Sequence, residues 1–183
     1  RRHTRCSRDW SSDVCSSDLM YASGEESAAQ IADRADRLGL MATVAAEAVE
    51  VLAESEVGAI AEAAHRAKPA LLIVDSIQTS TLAELEGPAG SVGQVRGSAE
   101  WLAGLARATG AAVILVGHVT KEGSIAGPKT LEHLVDAVVT LDGDRHGTLR
   151  TLRSAKNRFG STDELGLLEM GEHGDRKSTR LNS

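Results

Sequence analysis

Apolar runs and amphipathic stretches alternate along the middle of the chain. Two runs are apolar throughout, Leu71–Val74 and Ala111–Gly117, and such runs are typical of strands buried on both faces. Elsewhere, apolar side chains recur at the spacing of a helix. The pattern therefore predicts an α/β fold with a mainly parallel sheet and helices on both faces. The predicted helices are Ser27–Leu38, Val57–Ala67 and one within Gly90–Thr109.

Shorter apolar stretches predict further strands. The last of them are separated by short turns, so we expect an antiparallel edge on the sheet. In the longest helix, one face carries Val92, Val95, Ala99, Leu102 and Leu105, which should pack on the sheet. The additional predicted strands are Met20–Ser23, Met41–Ala45, Val135–Leu141, Thr148–Ser154 and Leu165–Met170.

The composition is that of one folded domain. Hydrophobic residues make up 42% and charged residues 25%, which argues against a disordered chain. The longest apolar run is far shorter than the roughly 20 residues of a membrane span, so we expect no membrane association. The N-terminus lacks the apolar region of a signal peptide, and Cys6 and Cys15 form no zinc framework on their own. A cytoplasmic location is the resulting expectation.

The two ends of the chain lack this pattern. Residues 1–19 and 173–183 are polar and show no hydrophobic period. Both ends resemble translations of sequencing-adapter DNA, so we expect them to be non-native and residues 20–172 to be the domain. Ordinary disordered tails are the alternative. Finding these ends in the genomic DNA of the source organism would exclude a non-native origin.

Chemically useful side chains follow several predicted strands. Ligands of parallel sheets bind outside the carboxyl ends of the strands, where this chain has Glu25, Asp75, Ser76 and His118. Asp75 could hold Mg²⁺ through its water shell, Glu25 could activate a water, and His118 could contact a phosphate. Each has a structural alternative. Asp75 could be a helix cap, Glu25 could lie at a helix N-terminus capped by Ser23, and His118 could lie in a surface loop.

Basic side chains gather towards the end of the chain. Lys156 and Arg158 follow a predicted strand that also carries Arg150 and Arg153. Because the chain as a whole has a formal charge of −6, this local cluster suggests a specific anion site rather than general attraction to nucleic acid. A solvated basic strand face is the alternative.

The 183 residues contain no GxxxxGK[ST] motif. The backbone amides and the lysine of that glycine-rich loop make the main contacts to the phosphates of a nucleoside triphosphate. We therefore expect this chain by itself to bind ATP weakly and not to hydrolyse it.

Five sequence blocks resemble, in order, the ATPase core of the RadA (Sms) family of bacterial DNA-repair proteins, which are relatives of the recombinase RecA. The blocks cover nearly all of residues 20–171, and the last contains the KNRFG signature particular to this family. They are YASGEES at 21–27, LLIVDSIQT at 71–79, GSVGQVRGSAEWL at 90–102, GHVTKEGSIAGPKTLEHLVD at 117–136 and KNRFGSTDELGLLEM at 156–170.

The resemblance implies a RecA-like fold and an ATP-driven motor that assembles as hexameric rings. Such a motor promotes branch migration on single-stranded DNA in recombination intermediates, with a RecA-type recombinase as a further partner. ATP and Mg²⁺ would be its cofactors. Family members also carry an N-terminal four-cysteine zinc module, the phosphate loop and a Lon-protease-like C-terminal domain, none of which this sequence contains, so zinc is expected only in that module.

Two other functions stay open. One is a non-catalytic module with a RecA-like fold that binds single-stranded DNA or a neighbouring subunit. The other is a RecA-fold regulator or kinase such as the clock ATPases, against which the KNRFG and GHVTKEG segments argue.

The resemblance also implies roles for the residues at the strand ends. Asp75 matches the Walker B aspartate that supports Mg²⁺, with Ser76 beside it, and Glu25 matches the glutamate that activates water. His118 lies where related motors sense the γ-phosphate.

Lys156 and Arg158 match the cations that reach across a subunit boundary to the neighbour's ATP. A cation supplied in trans stabilises the charge of the transition state and makes hydrolysis depend on assembly. Thr79–Gly93 and Val119–Pro128 resemble the family's DNA-facing loops. The DNA contacts implied there are Thr120, Lys121 and Lys129.

Overall fold

The computed structural model describes residues 18–41, 48–118, 130–143, 147–171 and 174–177. No helix in these ranges has the length and apolar character needed to cross a membrane. The strands are β1 (Leu19–Ser23), β2 (Val49–Ala53), β3 (Leu71–Asp75), β4 (Ala112–Val116), β5 (Ala137–Gly143), β6 (Leu149–Asn157), β7 (Leu165–Gly171) and β8 (Gly174–Lys177). The helices are α1 (Ala28–Arg37), α2 (Val57–Ala67) and α3 (Val92–Thr109).

The first four strands form a parallel sheet in the order β2-β1-β3-β4. The chain moves one way across the sheet from β1 through α1 to β2, and the opposite way through α2 and α3. Because strand–helix–strand connections are right-handed, α1 lies on one face and α2 and α3 on the other. The predicted α/β class, with helices on both faces of a parallel sheet, is confirmed.

The core lies between this sheet and helices α2 and α3. Met20 and Ala22 of β1 and Leu72 and Val74 of β3 are buried on the face that these helices cover. Most of the side chains are small, so the core depends on close approach of helix to sheet. The buried helical residues opposite them are Val57, Ile60, Ala61, Ala63, Ala64, Val95, Ala99, Leu102 and Leu105.

Helix α3 begins and ends where its local sequence allows. The Ser91 side chain accepts a hydrogen bond from the backbone N–H of Gln94, and Gly110 adopts a left-handed conformation at the C-cap, with φ 75°. The predicted apolar face is buried except at Val92, which is 56% exposed. Val92 is the first residue of the helix, and it lies beyond the part that packs on the core.

The later strands form a second sheet. Strands β5, β6, β7 and β8 pair in sequence order and antiparallel. The predicted antiparallel strands are present, but they pair with one another rather than extending the parallel sheet. Strands β2 and β8 were not predicted. The VEVLA of β2 is mostly exposed and carries a charge, and β8 is polar, so neither has the apolar signature of a buried strand. Most of the strand predicted at Met41–Ala45 lies outside the described residues.

The predicted domain boundaries fall within the sheets. Leu19, placed in the leader from the sequence, is the first residue of β1 and pairs with Val49 and Leu71. The carbonyl of Asp18 accepts hydrogen bonds from the backbone N–H groups of Ala70 at 2.9 Å and Leu71 at 3.0 Å. Strand β8 likewise lies beyond residue 172. A non-native origin of the two ends stays a prediction.

Leu102→Ala should lower the free energy of unfolding by about 2–5 kcal/mol, because it leaves a cavity at a fully buried position of α3. Val92→Ala on the same helix should change it by less than about 0.5 kcal/mol. Denaturant unfolding of the two variants measures both values. Equal losses would contradict the packing of α3 described here.

Candidate functional site

The carboxyl ends of β1, β3 and β4 lie level at one edge of the parallel sheet. Ser23 pairs with Asp75, and Asp75 pairs with Val116. The backbone N–H of Gly24 donates to the Asp75 carbonyl at 3.0 Å. A Cβ atom at Gly24 would lie only 2.6 Å from Thr79 Oγ1, so this close approach requires glycine. It brings the segment after β1 against the end of β3.

Three side chains with metal-ligand atoms converge at this edge. One ligand atom each from Glu25, Asp75 and His118 lies within 4.8 Å of the other two. Ser76 Oγ donates to Glu25 Oε1 at 2.5 Å, and His118 Nε2 lies 3.4 Å from the same oxygen. The structure therefore brings together four residues selected from the sequence for Mg²⁺ binding, water activation and phosphate contact. Their roles stay predictions.

Tyr21 is a site residue that the sequence reasoning missed. Its hydroxyl donates to Asp75 Oδ2 from the neighbouring strand. Burial, then this hydrogen bond and the charge of Asp75, raise the pKa of Tyr21 well above its usual range. The sequence alone does not indicate this contact, because it depends on the register between β1 and β3. Tyr21 pairs with Ile73, so Tyr21 and Asp75 lie on one face of adjacent strands.

The donor set fits a hard divalent cation. Carboxylate and hydroxyl oxygens of Glu25, Asp75 and Ser76 are the ligands that Mg²⁺ prefers, directly or through water. The Tyr21 hydroxyl donates its hydrogen bond to Oδ2 of Asp75, which leaves Oδ1 to bind a cation or a water of its shell. Glu26 is paired with Arg34 instead. The candidate Mg²⁺ site is therefore centred on Asp75, with Glu25 as the carboxylate beside it.

The segment between β1 and α1 does not use Ser23 as the helix cap. Ser27 is the N-cap, and its side chain and that of Gln30 form a capping box. Ser23 Oγ instead accepts from the N–H groups of Glu25 at 3.3 Å and Glu26 at 3.1 Å. The alternative with Ser23 as the cap is therefore wrong. Glu25 lies in the turn before the helix, where its carboxylate reaches β3.

The two predicted trans-acting cations lie in and just after β6 of the second sheet. Lys156 Nζ donates to the carbonyls of Glu132 at 2.5 Å and Val135 at 2.7 Å. Arg158 pairs with the Asp136 carboxylate at 2.5 Å. Both cations thus have partners in the segment that leads into β5. A role at a neighbour's ATP would require them to exchange these contacts.

The predicted DNA contacts lie outside the described residues. These are Thr120, Lys121 and Lys129, together with the loop Val119–Pro128 that holds the first two. The other predicted DNA-facing loop, Thr79–Gly93, is described. Its first part is packed inward, because Ser80 and Leu82 are buried. Residues 83–89 are exposed, and a DNA-facing role of this loop stays a prediction.

The parallel sheet with helices on both faces defines a RecA-like fold, and a family model matches much of the chain. The family model described as "AAA domain" matches residues 10–124. The chain belongs to this AAA domain family.

Within this class, the chain is similar to proteins named DNA repair protein RadA. It is 48% identical over 156 residues to that of Halalkalibacterium halodurans, covering 85% of this chain and 33% of the relative. It is 48% identical over 155 residues to that of Mycobacterium tuberculosis, covering 85% and 32%. The Escherichia coli protein is 46% identical over 158 residues, covering 86% and 34%. The predicted RadA resemblance is confirmed, and the chain spans about a third of these relatives' length.

A solved structure supports the fold. The KaiC-like protein of Pyrococcus horikoshii OT3 matches with a TM-score of 0.66, covering 88% of this chain and 76% of that protein. The sequences are only 16% identical, so this likeness shows the RecA-like fold alone.

The ionisation of Tyr21 can be measured directly, because it is the only tyrosine of the chain. The ultraviolet absorbance of tyrosinate should titrate well above pH 10 in the folded protein. Because the folded pKa is raised, the stabilisation it contributes is present below about pH 10 and is lost as the pH rises through the folded pKa. Asp75→Asn should lower the midpoint only in part, since burial is the larger cause. A midpoint near pH 10 before unfolding would contradict the Tyr21–Asp75 contact.

Proposed function

We propose that this chain is the part of a RadA-like DNA-dependent ATPase that holds Mg²⁺ and activates the attacking water. The observation that carries the proposal is the convergence of Glu25, Ser76 and His118 beside Asp75. A rigid carboxylate at a strand end, with a second carboxylate next to it, is what metal-assisted phosphoryl transfer to water requires.

Each side chain has a distinct task in this proposal. Bound Mg²⁺ would neutralise charge on the ATP phosphates. Asp75 holds the water shell of that ion, and Tyr21 orients Asp75 through its hydroxyl. Glu25 accepts the proton of the attacking water, and Ser76 and His118 fix the Glu25 carboxylate by contacting Oε1.

Assembly supplies the remaining positive charge. In a ring of subunits, Lys156 and Arg158 leave their carbonyl and carboxylate partners and stabilise the transition state at the neighbour's site. Within the isolated chain, Glu132, Val135 and Asp136 hold these cations. Hydrolysis is thereby coupled to a hexameric assembly.

The work of the motor is branch migration on single-stranded DNA during recombination and repair, in concert with a RecA-type recombinase. Support for DNA as the partner comes from the name of the relatives, DNA repair protein RadA. Thr120, Lys121 and Lys129 are the proposed phosphate contacts, which position DNA without reading its sequence.

A non-catalytic module that binds single-stranded DNA or a subunit is the second candidate. This alternative concerns the 183 residues by themselves, which contain no GxxxxGK[ST] motif. Salt-dependent binding of single-stranded DNA by this chain, unchanged by ATP, would favour that alternative.

The chain by itself should show no DNA-stimulated ATP hydrolysis, because it has no phosphate loop. A chimera in which residues 18–171 replace the matching segment of the Escherichia coli relative should hydrolyse ATP. In the chimera, Glu25→Gln should lower kcat about 10²- to 10⁴-fold with little change in nucleotide affinity. Steady-state ATPase assays and nucleotide binding measure both effects.

The matched control is Glu26→Gln, which removes the neighbouring carboxylate that pairs with Arg34. It should leave kcat within about threefold. Turnover by the isolated chain, or equal losses from the two substitutions, would contradict the assignment of Glu25.

Lys156→Ala in the chimera should spare ATP binding and reduce DNA-coupled hydrolysis by about 10³-fold, the scale of a cation supplied in trans. Arg107→Ala, on an exposed part of α3 outside the basic cluster, is the control and should have little effect. Lys156→Ala subunits keep Glu25, and Glu25→Gln subunits keep Lys156. Mixing the two should therefore restore activity at those interfaces where an intact Glu25 faces an intact Lys156 of the neighbour. If the mixture stays inactive while mixed rings form, Lys156 does not act in trans.

A further inference from the structure

The side-chain amide of Gln78 pairs with both backbone groups of His118. Gln78 Nε2 donates to the His118 carbonyl at 3.0 Å, and the His118 N–H donates to Gln78 Oε1 at 3.3 Å. A carboxamide carries a donor and an acceptor side by side, as a peptide group does. It can therefore hold a neighbouring main chain at two points.

This contact continues the sheet beyond its last backbone rung. The parallel ladder of β3 and β4 ends at Asp75 and Val116, followed by a hydrogen bond from the N–H of Ile77 to the Val116 carbonyl at 2.9 Å. The Gln78 side chain takes the next position along the ladder. Without it, the backbone of His118 would lose both of these bonds.

Gln78 stands on a turn that is itself fixed. The Ser76 carbonyl accepts hydrogen bonds from the Thr79 N–H at 3.2 Å, Thr79 Oγ1 at 2.9 Å and Ser80 Oγ at 3.1 Å. Ile77 and Ser80 are each only 1% exposed. Through Gln78, the exposed His118 is therefore connected to a buried part of the core.

The contacts close a ring around the candidate water-activating carboxylate. Ser76 Oγ and His118 Nε2 both meet Glu25 Oε1, and the turn from Ser76 to Gln78 connects back to the His118 backbone. We propose that Gln78 is a positioning residue, which holds the His118 imidazole against Glu25 at the end of β4. This inference rests on the proposed function for its effect on hydrolysis, whereas the positioning itself can be tested without ATP.

Hydrogen exchange on the full 183-residue chain tests the positioning. Gln78→Leu removes the amide at similar volume, and the His118 N–H should exchange about two- to tenfold faster, which is the range expected for one lost hydrogen bond. Gln94→Leu is the matched control, because the Gln94 amide holds the backbone of Leu82 in the same way, at 2.8 Å from the Leu82 N–H. The control should speed exchange at Leu82 and not at His118. Unchanged exchange at His118 in Gln78→Leu would overturn the proposal.

A double-mutant cycle in the ATPase chimera tests whether Gln78 acts through His118. Gln78→Leu should lower kcat about tenfold with KM within about twofold, and adding it to His118→Ala should cause no further loss. Gln78→Glu keeps an acceptor for the His118 N–H and should recover part of the rate. The loss from Gln94→Leu, in contrast, should multiply with that from His118→Ala. If the losses from Gln78→Leu and His118→Ala also multiply, Gln78 does not act through the histidine.

The two experiments separate the two claims. An inactive chimera combined with faster His118 exchange would overturn the proposed ATPase function and support the positioning of His118. An active chimera combined with unchanged His118 exchange would support the proposed ATPase function and overturn the positioning of His118 by Gln78.

Discussion

The level register of three parallel strands is the constraint on which the site depends. Ser23, Asp75 and Val116 share one rung at the end of β1, β3 and β4, so the residues that follow each strand arrive at one place. Side chains alternate between the faces of a sheet, and a slip of one residue in β1 would turn Tyr21 away from Asp75. The core residues Met20 and Ala22, which alternate with Tyr21, make such a slip costly. The packing of the hydrophobic core thereby fixes the geometry of the polar edge.

In the candidate site, two carboxylates accept hydrogen bonds from neutral hydroxyl groups. Glu25 and Asp75 are acidic groups held close together, and like charges at short range repel each other. Tyr21 and Ser76 each donate a hydroxyl hydrogen bond to one of them, which offsets part of that repulsion without neutralising it. A divalent cation would neutralise the remainder, and this requirement links the stability of the site to its proposed chemistry.

Lys156 and Arg158 of the second sheet have a structural role within the chain and a proposed catalytic role at a neighbour's site. They cannot perform both at the same time. Lys156 binds the carbonyls of Glu132 and Val135, and Arg158 binds Asp136. These contacts tie the turn before β5 to the end of β6, and reaching a neighbouring subunit would break them. The Arg158–Asp136 ion pair is exposed, and such pairs are weak, so an anionic ligand with several charges could displace it.

Much of the architecture followed from the sequence by itself. Helix α2 was predicted with the bounds observed, Val57–Ala67, because its alanine-rich amphipathic pattern ends at Pro69. Glu25, Asp75 and His118 were selected because polar residues directly after apolar runs lie at the ligand-binding edge of a parallel sheet. Local periodicity carries this information, since it requires no knowledge of which strands are neighbours.

Only the tertiary structure decided what depends on strand order and register. Tyr21 reaches Asp75 across 54 residues of sequence, and Gln78 reaches His118 across 40. Neither residue has a local signal for its contact. Strands β2 and β8 were missed because they are polar or exposed, and the antiparallel strands form their own sheet because they pair with one another. The sequence determined which residues could act, whereas the sheet register determined which of them meet, because hydrogen bonding between distant strands sets their distances.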